Sequence, residues 1–134
     1  MKFKFLDHPA DLKVQVFGKD LPDLFTNAAL GMMTFLYPKQ VEIQERETKE
    51  NIRIRANDVK ALLVDWLSEL LYFSDTKNVC YNDFYFEKLT ENELVVTAYG
   101  RRVRAKEDIK AVTYHGLKVK QTEDGWEAVI LFDI

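Results

Sequence analysis

The residues best suited to chemistry in this sequence are carboxylates near the two ends of the chain. The last stretch holds two strand-like runs, Leu117–Gln121 and Trp126–Phe132, followed by Asp133 and Ile134. The residues between the runs end in Asp-Gly, which predicts a hairpin because Gly supplies positive φ at no steric cost. A long strand that runs to the end of the chain would place the Asp133 carboxylate and the terminal α-carboxylate side by side.

A second acidic corner lies near the start of the chain, where Asp7 and Asp11 bracket His8. If the strand that follows this corner neighbours the terminal strand, Asp11 joins Asp133 and the terminal carboxylate. Adjacent acids repel each other unless positive charge lies between them. Three carboxylates without cysteine select a hard cation such as Ca²⁺ or Mg²⁺ rather than zinc. Carboxylates at strand ends are common, so a solvated chain end is the alternative interpretation.

The remaining reactive side chains carry no recognised catalytic motif. His8 and His115 are the only histidines, and each suits a general base, a metal ligand or a hydrogen-bonded corner residue. No nucleophile elbow, phosphate-binding loop or dinucleotide fingerprint accompanies them. We expect Cys80, in a predicted strand, to be inert. A basic loop, Arg101–Asp108, either contacts phosphates or an acidic partner surface or is simply solvated.

Length and composition restrict the class of protein. The 134 residues predict one domain, spanning 1–134, and the 47% apolar and 13% aromatic content excludes disorder. No apolar run reaches the roughly 18 residues that cross a bilayer. A single cysteine excludes a disulfide framework and favours a cytoplasmic protein. The net charge of −3 argues against a freestanding RNA binder, because such proteins usually carry a basic excess.

Hydrophobic patterning in the first half predicts strands around one helix. Met1–Leu6 and the alternating run Leu12–Phe17 read as strands. The apolar stripe of Leu21–Tyr37 predicts a helix, with Asp20 as its N-cap. Val41–Ala56 predicts two strands joined by an exposed turn, or one long bent ribbon.

The second half repeats this order of elements. Asp58–Ser74 has the clearest helical period in the chain, with Asn57 or Asp58 as its cap. Val79–Leu89 and Glu93–Gly100 predict a hairpin, and Tyr114-His115-Gly116 predicts a corner before the last two strands. The sequence therefore predicts an α+β fold, with two helices packed on one face of a mostly antiparallel sheet. Two strand-helix-strand-strand halves are a further prediction.

The sequence resembles the archease family along nearly its whole length. The order, spacing and terminal position of the matching segments make the resemblance specific. These segments are Asp7-His8-Pro9-Ala10-Asp11, Asn27–Met32, Ala61–Tyr72, Ile109–Leu117 and Phe132-Asp133-Ile134. Two features depart from the family pattern. Pro9 stands where Thr is usual, and the loop before Ile109 lacks the glycine-containing insertion of many relatives.

The resemblance implies a function. Archeases are small α+β activators of the tRNA-splicing RNA ligase, which joins a 2′,3′-cyclic or 3′-phosphate RNA end to a 5′-hydroxyl using GTP and Mn²⁺. They are not themselves enzymes. They promote guanylylation of a histidine in the ligase and allow it multiple turnovers. The expected partner of this chain is therefore the ligase, with tRNA only an indirect partner and no membrane involved.

The resemblance also implies a set of site residues. Asp11, Asp133 and Ile134 occupy the positions that hold a divalent cation, expected to be calcium, with magnesium or manganese as alternatives. Asp108 stands where relatives usually have Glu, one methylene longer. Lys110, together with His8 and His115, is expected to support the site or to contact the ligase.

Two other functions remain open at this point. One is a small metal-dependent hydrolase that uses His8 or His115. The other is an RNA-binding chaperone that acts through the basic loop Arg101–Asp108, although the net charge argues mildly against it.

Overall fold

The computed structural model describes residues 1–134 and contains seven strands and two helices. In chain order they are β1 (Phe3–Leu6), β2 (Asp11–Gly18), α1 (Leu21–Leu36), β3 (Thr48–Arg55), α2 (Val59–Lys77), β4 (Val79–Leu89), β5 (Glu93–Arg102), β6 (Ala111–Thr122) and β7 (Gly125–Asp133). No helix is both long and apolar enough to cross a membrane.

The strands form two antiparallel sheets rather than one. The four-stranded sheet has the order β1-β2-β7-β6, and the three-stranded sheet has the order β3-β5-β4. Both helices contact strands of both sheets: α1 packs on β2 and β4, and α2 packs on β6, β3 and β4. The predicted α+β class with two helices is confirmed. The division into two sheets depends on pairing between distant segments, which local patterning does not reveal.

Two strand-helix-strand-strand units are present, but one is inserted in the other. The elements β3, α2, β4 and β5 are consecutive and form the three-stranded sheet with its last strand in the middle. The elements β2, α1, β6 and β7 have the same order, β2-β7-β6, and the inner unit interrupts them after α1. The two ends of the chain therefore meet in one sheet.

The predicted helix starts are confirmed. Asp20 Oδ1 accepts a hydrogen bond from the backbone N–H of Asp23 at 2.9 Å, and Asp58 Oδ1 accepts one from Ala61 N–H at 2.8 Å. These bonds satisfy N–H groups that have no partner within a helix. Helix α2 continues three residues beyond the predicted Ser74 and ends at Asn78, whose φ of 55° is left-handed.

The core lies where the helices meet the sheets, and Trp66 of α2 is at its centre. The indole is fully buried, and its Nε1–H donates to the carbonyl oxygen of Phe25 at 3.0 Å. The rings of Phe84 and Phe86 meet it edge to face, with centroids 5.5 and 5.8 Å away. Burying a large apolar side chain of this kind stabilises a fold by roughly 1.5–3 kcal/mol.

The prediction for Val41–Ala56 was wrong in its first part. Only Thr48–Arg55 forms a strand, and Val41 lies in a turn. The side-chain amide of Asn82 donates to the carbonyl oxygens of Val41 and Ile43, at 2.9 and 2.7 Å. These bonds satisfy backbone groups that a strand would pair in a ladder.

The last hairpin forms as predicted, and Gly125 is the residue that requires glycine. Its φ is +139°, and a Cβ there would lie 2.2 Å from the carbonyl oxygen of Gly18. The strand before it is longer than predicted, because β6 begins at Ala111 and runs through Tyr114-His115-Gly116. The basic loop is shorter than predicted, since Arg101 and Arg102 belong to β5.

Candidate functional site

The candidate site is built on one cross-strand pair, Asp11 of β2 and Asp133 of β7. The two residues are direct partners in the antiparallel register. Directly opposed residues point to the same face of a sheet, with Cβ atoms about 4.5–5.5 Å apart. The Asp11 side chain is 35% exposed and Asp133 is exposed, so both carboxylates reach solvent. The structure thus brings together the two acids that the sequence placed at opposite ends of the chain.

Backbone pairing on both sides holds Asp133 in place. Ala111 of β6 is its partner on the side away from Asp11. The backbone N–H of Lys110 donates to the carbonyl oxygen of Asp133 at 2.7 Å. Ile134 follows directly and is 41% exposed. The acidic pair therefore lies on ordered strands, with the backbone oxygen of Ile134 one residue away.

His8 is the candidate residue whose side chain contacts this pair. Its Nδ1 lies 3.3 Å from Asp11 Oδ2. The contact lacks hydrogen-bond geometry, and this buried nitrogen has no other partner. Ala10 between them has a φ of 66°, in the left-handed region that non-glycine residues rarely adopt. The turn at Ala10 thus brings His8 back toward Asp11.

The other predicted supporting residues differ in how close they come. Lys110 touches Asp133 through its backbone, while its exposed side chain forms no ion pair. Asp108 lies two residues earlier in an exposed loop, again without an ion pair. His115 lies beyond Thr113 on β6, so it is at least about 7 Å along the strand from the acidic pair.

His115 belongs to a bulge in β6 that replaces the predicted corner. Thr113 pairs with Leu131 and Lys118 pairs with Val129, so four residues of β6 stand opposite Ile130 alone. Gly116 permits the bulge with a φ of +70°, and Leu117 turns into the core. Such bulges bend a strand and change where its side chains point. The result is that His115 is exposed on a protrusion of the edge strand.

Tyr114 lies in the same bulge and faces the side of α2. Its side chain is 58% exposed. Partial burial raises the pKa of the Tyr114 phenol, with smaller contributions from the carboxylates of Asp65 and Asp58. The bulge therefore combines an exposed phenol and an exposed imidazole away from the acidic pair.

The donor set of the acidic pair fits a hard cation. No group of three or more His, Cys, Asp or Glu side chains is arranged to hold a metal ion. A site here would combine the side chains of Asp11 and Asp133 with backbone oxygens, among them that of Ile134. Oxygen-only donor sets suit Ca²⁺, Mg²⁺ and Mn²⁺. Neither aspartate faces a lysine or arginine within ion-pair distance.

The other candidate residues are engaged elsewhere. Cys80 is buried, and burial raises the pKa of its thiol to about 12, with Arg101 opposing the change. The guanidinium of Arg101 donates to the side chain of Gln40, and the backbone N–H of Arg102 donates to Glu47 Oε1 at 2.8 Å. Half of the predicted basic loop is thus tied into the fold.

Tyr72 is a surface residue near the site that sequence analysis did not single out. It is 60% exposed on α2 and lines a groove of about 290 Å³ with Lys110 and Val112. Its position just off the apolar stripe of α2 was the available signal, because a large exposed aromatic residue often marks an interface.

Comparison with known proteins identifies relatives over the full length of the chain. The model of the Archease protein family (MTH1598/TM1083) matches residues 3–134. An archease from Archaeoglobus fulgidus is 36% identical over 141 residues, covering 100% of both chains. An archease from Methanosarcina barkeri is 34% identical over 143 residues, covering 99% of this chain and 96% of its own.

Solved structures share the fold. The solution structure of Methanobacterium thermoautotrophicum protein 1598 is 27% identical, with a TM-score of 0.79 and 98% of each chain covered. The crystal structure of TM1083 from Thermotoga maritima, described as an archease and possible chaperone, is 18% identical. It has a TM-score of 0.65, with 98% of this chain and 96% of that chain covered, and it supports the fold alone.

Proposed function

The chain belongs to the archease family, and from this premise we propose that it is a non-catalytic, cation-binding activator of the tRNA-splicing RNA ligase. It promotes guanylylation of the ligase and allows it many turnovers. We place this activity in the cytoplasm, with the ligase as direct partner and tRNA as an indirect one.

The observation that carries the proposal is the cross-strand pairing of Asp11 with Asp133. Like charges directly opposite each other destabilise a sheet. No basic side chain other than the neighbouring His8 offsets them. A divalent cation, calcium in the first place, would supply positive charge between the two carboxylates and offset their repulsion.

In this proposal Asp11 and Asp133 are ligands through their side chains and Ile134 through its backbone oxygen. His8 positions Asp11, and Lys110 positions Asp133 through its backbone hydrogen bond. The strands hold these groups on a solvent-facing strand end, which suits contact with a larger protein. Precise placement of reacting groups strongly affects the reaction rate, because small displacements of these groups slow the reaction considerably.

His115 has a different role in this proposal. Its position on the exposed bulge of β6 separates it from the acidic pair. It is therefore available to touch the ligase but not to share the same cation. Asp108 is likewise available to the partner from its exposed loop.

A multiple-turnover ligation assay tests the proposal. RNA with a 3′-phosphate and RNA with a 5′-hydroxyl are joined by limiting ligase, with and without this protein. We expect more than one product per ligase only when the protein is present. The variants Asp11→Asn and Asp133→Asn should lose this stimulation, while Glu123→Gln, an exposed acid at the far end of the sheet, should retain it.

Two outcomes would contradict the proposal. One is the same yield of ligated RNA with and without the protein. The other is hydrolysis of nucleotides by the protein alone, which would indicate that it is an enzyme in its own right.

A further inference from the structure

The outward side of the three-stranded sheet is a second surface, distinct from the acidic strand end. Along β5, Leu94, Val96 and Ala98 are buried, so the alternate residues point away from the helices. We call the solvent-facing side of β3, β5 and β4 the outer sheet face. Its rows across the strands are Lys49–Tyr99–Asp83, Asn51–Thr97–Tyr85 and Arg53–Val95–Lys88, with Arg55–Glu93 at the end.

No helix packs on the outer sheet face. The opposite side of the same sheet meets α2, where Phe84 and Phe86 contact Trp66. A shallow groove of about 380 Å³ crosses the outer sheet face, lined by Arg53, Tyr85 and Val95 among others. Tyr85 is 62% exposed on β4, in the paired segment between the two register shifts of that strand. This combination describes a flat, open surface with an exposed aromatic ring.

The outer sheet face is basic in a chain that is acidic overall. The chain has a net charge of −3. Five basic and three acidic side chains belong to the outer sheet face or fold onto it: Arg46, Lys49, Arg53, Arg55 and Lys88, against Asp83, Glu87 and Glu93. The outer sheet face therefore has a net positive charge, whereas the rest of the chain has a net negative charge.

Two of the three acids are already neutralised by their neighbours. Arg46 Nε donates to Asp83 Oδ2 at 2.7 Å. Glu93 accepts from both Lys88, at 2.7 Å, and Arg55, at 3.2 Å. Lys49 and Arg53 make no ion pair. These two cations lie on the same edge strand, with the row of Asn51 between them, and are available to an anionic ligand.

The aromatic residues of the face are arranged for stacking. Tyr99 is already covered, because the Arg46 guanidinium lies 4.0 Å from its ring centroid. Tyr85 is in the adjacent row on the neighbouring strand and remains open. Lys49 and Arg53 lie on β3, across β5 from Tyr85, in the rows before and after its own. Sheet-based modules use open rings and nearby cations of this kind to stack bases and hold phosphates.

We propose that the outer sheet face binds a short segment of single-stranded RNA, with a base stacked on Tyr85 and phosphates held by Lys49 and Arg53. This site goes beyond the proposed activation of the ligase and does not depend on it. It is also distinct from the loop around Arg104, whose basic residues gave the earlier RNA-binding hypothesis.

Fluorescence anisotropy with a labelled single-stranded RNA of about ten nucleotides tests the proposal. We expect binding at about 50 mM salt that weakens steeply by about 200 mM. Tyr85→Ala should raise the Kd about tenfold, while Tyr85→Phe, which keeps the ring, should bind as the wild type does. Arg53→Glu should weaken binding and reduce the salt dependence.

Matched variants identify the surface. Tyr72→Ala removes a tyrosine of nearly equal exposure, 60%, on α2, and should leave RNA binding unchanged. Arg104→Glu changes a charge in the exposed loop and should have a smaller effect than Arg53→Glu. Each variant's circular dichroism spectrum and Tm verify that it folds.

Several results would overturn the proposal. These are the absence of RNA binding at low salt, an equal loss from Tyr72→Ala, and a larger loss from Arg104→Glu than from Arg53→Glu. The proposal also fails if the wild type binds no RNA and Tyr85→Ala weakens stimulation of the ligase. In that case the outer sheet face contacts the ligase rather than RNA. Because RNA binding is measured without ligase, its failure and the failure of ligase activation are separate results.

Discussion

Asp11 and Asp133 face each other directly across β2 and β7 and carry two carboxylates to one side of the same sheet. Each lies at the end of its strand, where solvent reaches the side chains. Without a cation the two carboxylates repel each other and destabilise the fold. With a cation both can act as its ligands. Replacing one aspartate by the uncharged asparagine should therefore stabilise the fold without calcium and destabilise it, relative to the wild type, with calcium.

Replacing Asp133 by Asn should raise stability without calcium and remove the response to it. Without cation, loss of the like-charge contact should stabilise the fold by roughly 0.2–1 kcal/mol. With calcium at about 100 times its Kd, the wild type should gain about 2.7 kcal/mol and Asp133→Asn far less. Urea denaturation in chelator and in excess CaCl₂ gives both values. Glu123→Gln should behave as the wild type does, and an equal calcium response in Asp133→Asn would contradict the proposed ligand.

Replacement of glycine by alanine should lower the stability of the fold at Gly125 and raise it at Gly31. At Gly125 the new Cβ would lie 2.2 Å from a backbone oxygen of Gly18, at a φ that alanine rarely adopts. We expect the free energy of unfolding to fall by well above about 1 kcal/mol. At Gly31, within α1, the nearest atoms to a Cβ are 3.4 Å away, so alanine should gain up to about 1 kcal/mol in helix propensity. Thermal denaturation of the two variants measures the difference, and equal effects would contradict it.

The thiol of Cys80 should be unreactive in the folded protein. Burial raises its pKa to about 12, so at about pH 8 only about one molecule in ten thousand carries the reactive thiolate. Alkylation by iodoacetamide should be slow in native buffer and fast in denaturant, as intact mass would record. Fast native alkylation would show that β4 opens locally.

Stability should decline at alkaline pH. Burial raises the pKa of Cys80, and also that of the phenols of Tyr37 and Tyr81, above their unfolded values. The folded state therefore holds these protons more tightly than the unfolded chain. Their contribution is complete below about pH 9 and is lost as the pH rises toward 12. Chemical denaturation between neutral and alkaline pH measures the slope, and a stability that rises above about pH 9 would contradict this assignment.

Local features of the fold were predictable where one residue determines the outcome. Asp20 and Asp58 are caps because their side chains satisfy N–H groups at the first turn, a requirement visible in sequence. Gly125 was identified from the Asp-Gly pair for a similar reason. The left-handed φ of Ala10 had no such signal, since alanine is not a residue typical of that conformation.

Non-local features were harder to predict. Val41 and Ile43 have strand-like spacing, but their carbonyl groups pair with the side chain of Asn82, which is distant in sequence. Tyr114 and His115 read as a corner, yet they form a bulge because Leu117 must enter the core while β6 keeps its pairing with β7. The pairing of Asp11 with Asp133 could be predicted only on the assumption that their two strands are neighbours in the sheet.

The nesting of one unit inside the other has a consequence for biosynthesis. All strands of the inner sheet lie within residues 48–102, so the sheet can close while the ribosome still holds the residues that follow. The strands that bear the two aspartates meet only after β7 has emerged. Products truncated before β7 can therefore contain a complete inner sheet and still lack the pairing of Asp11 with Asp133. If this pair binds calcium as proposed, calcium binding should distinguish such products from chains that include β7.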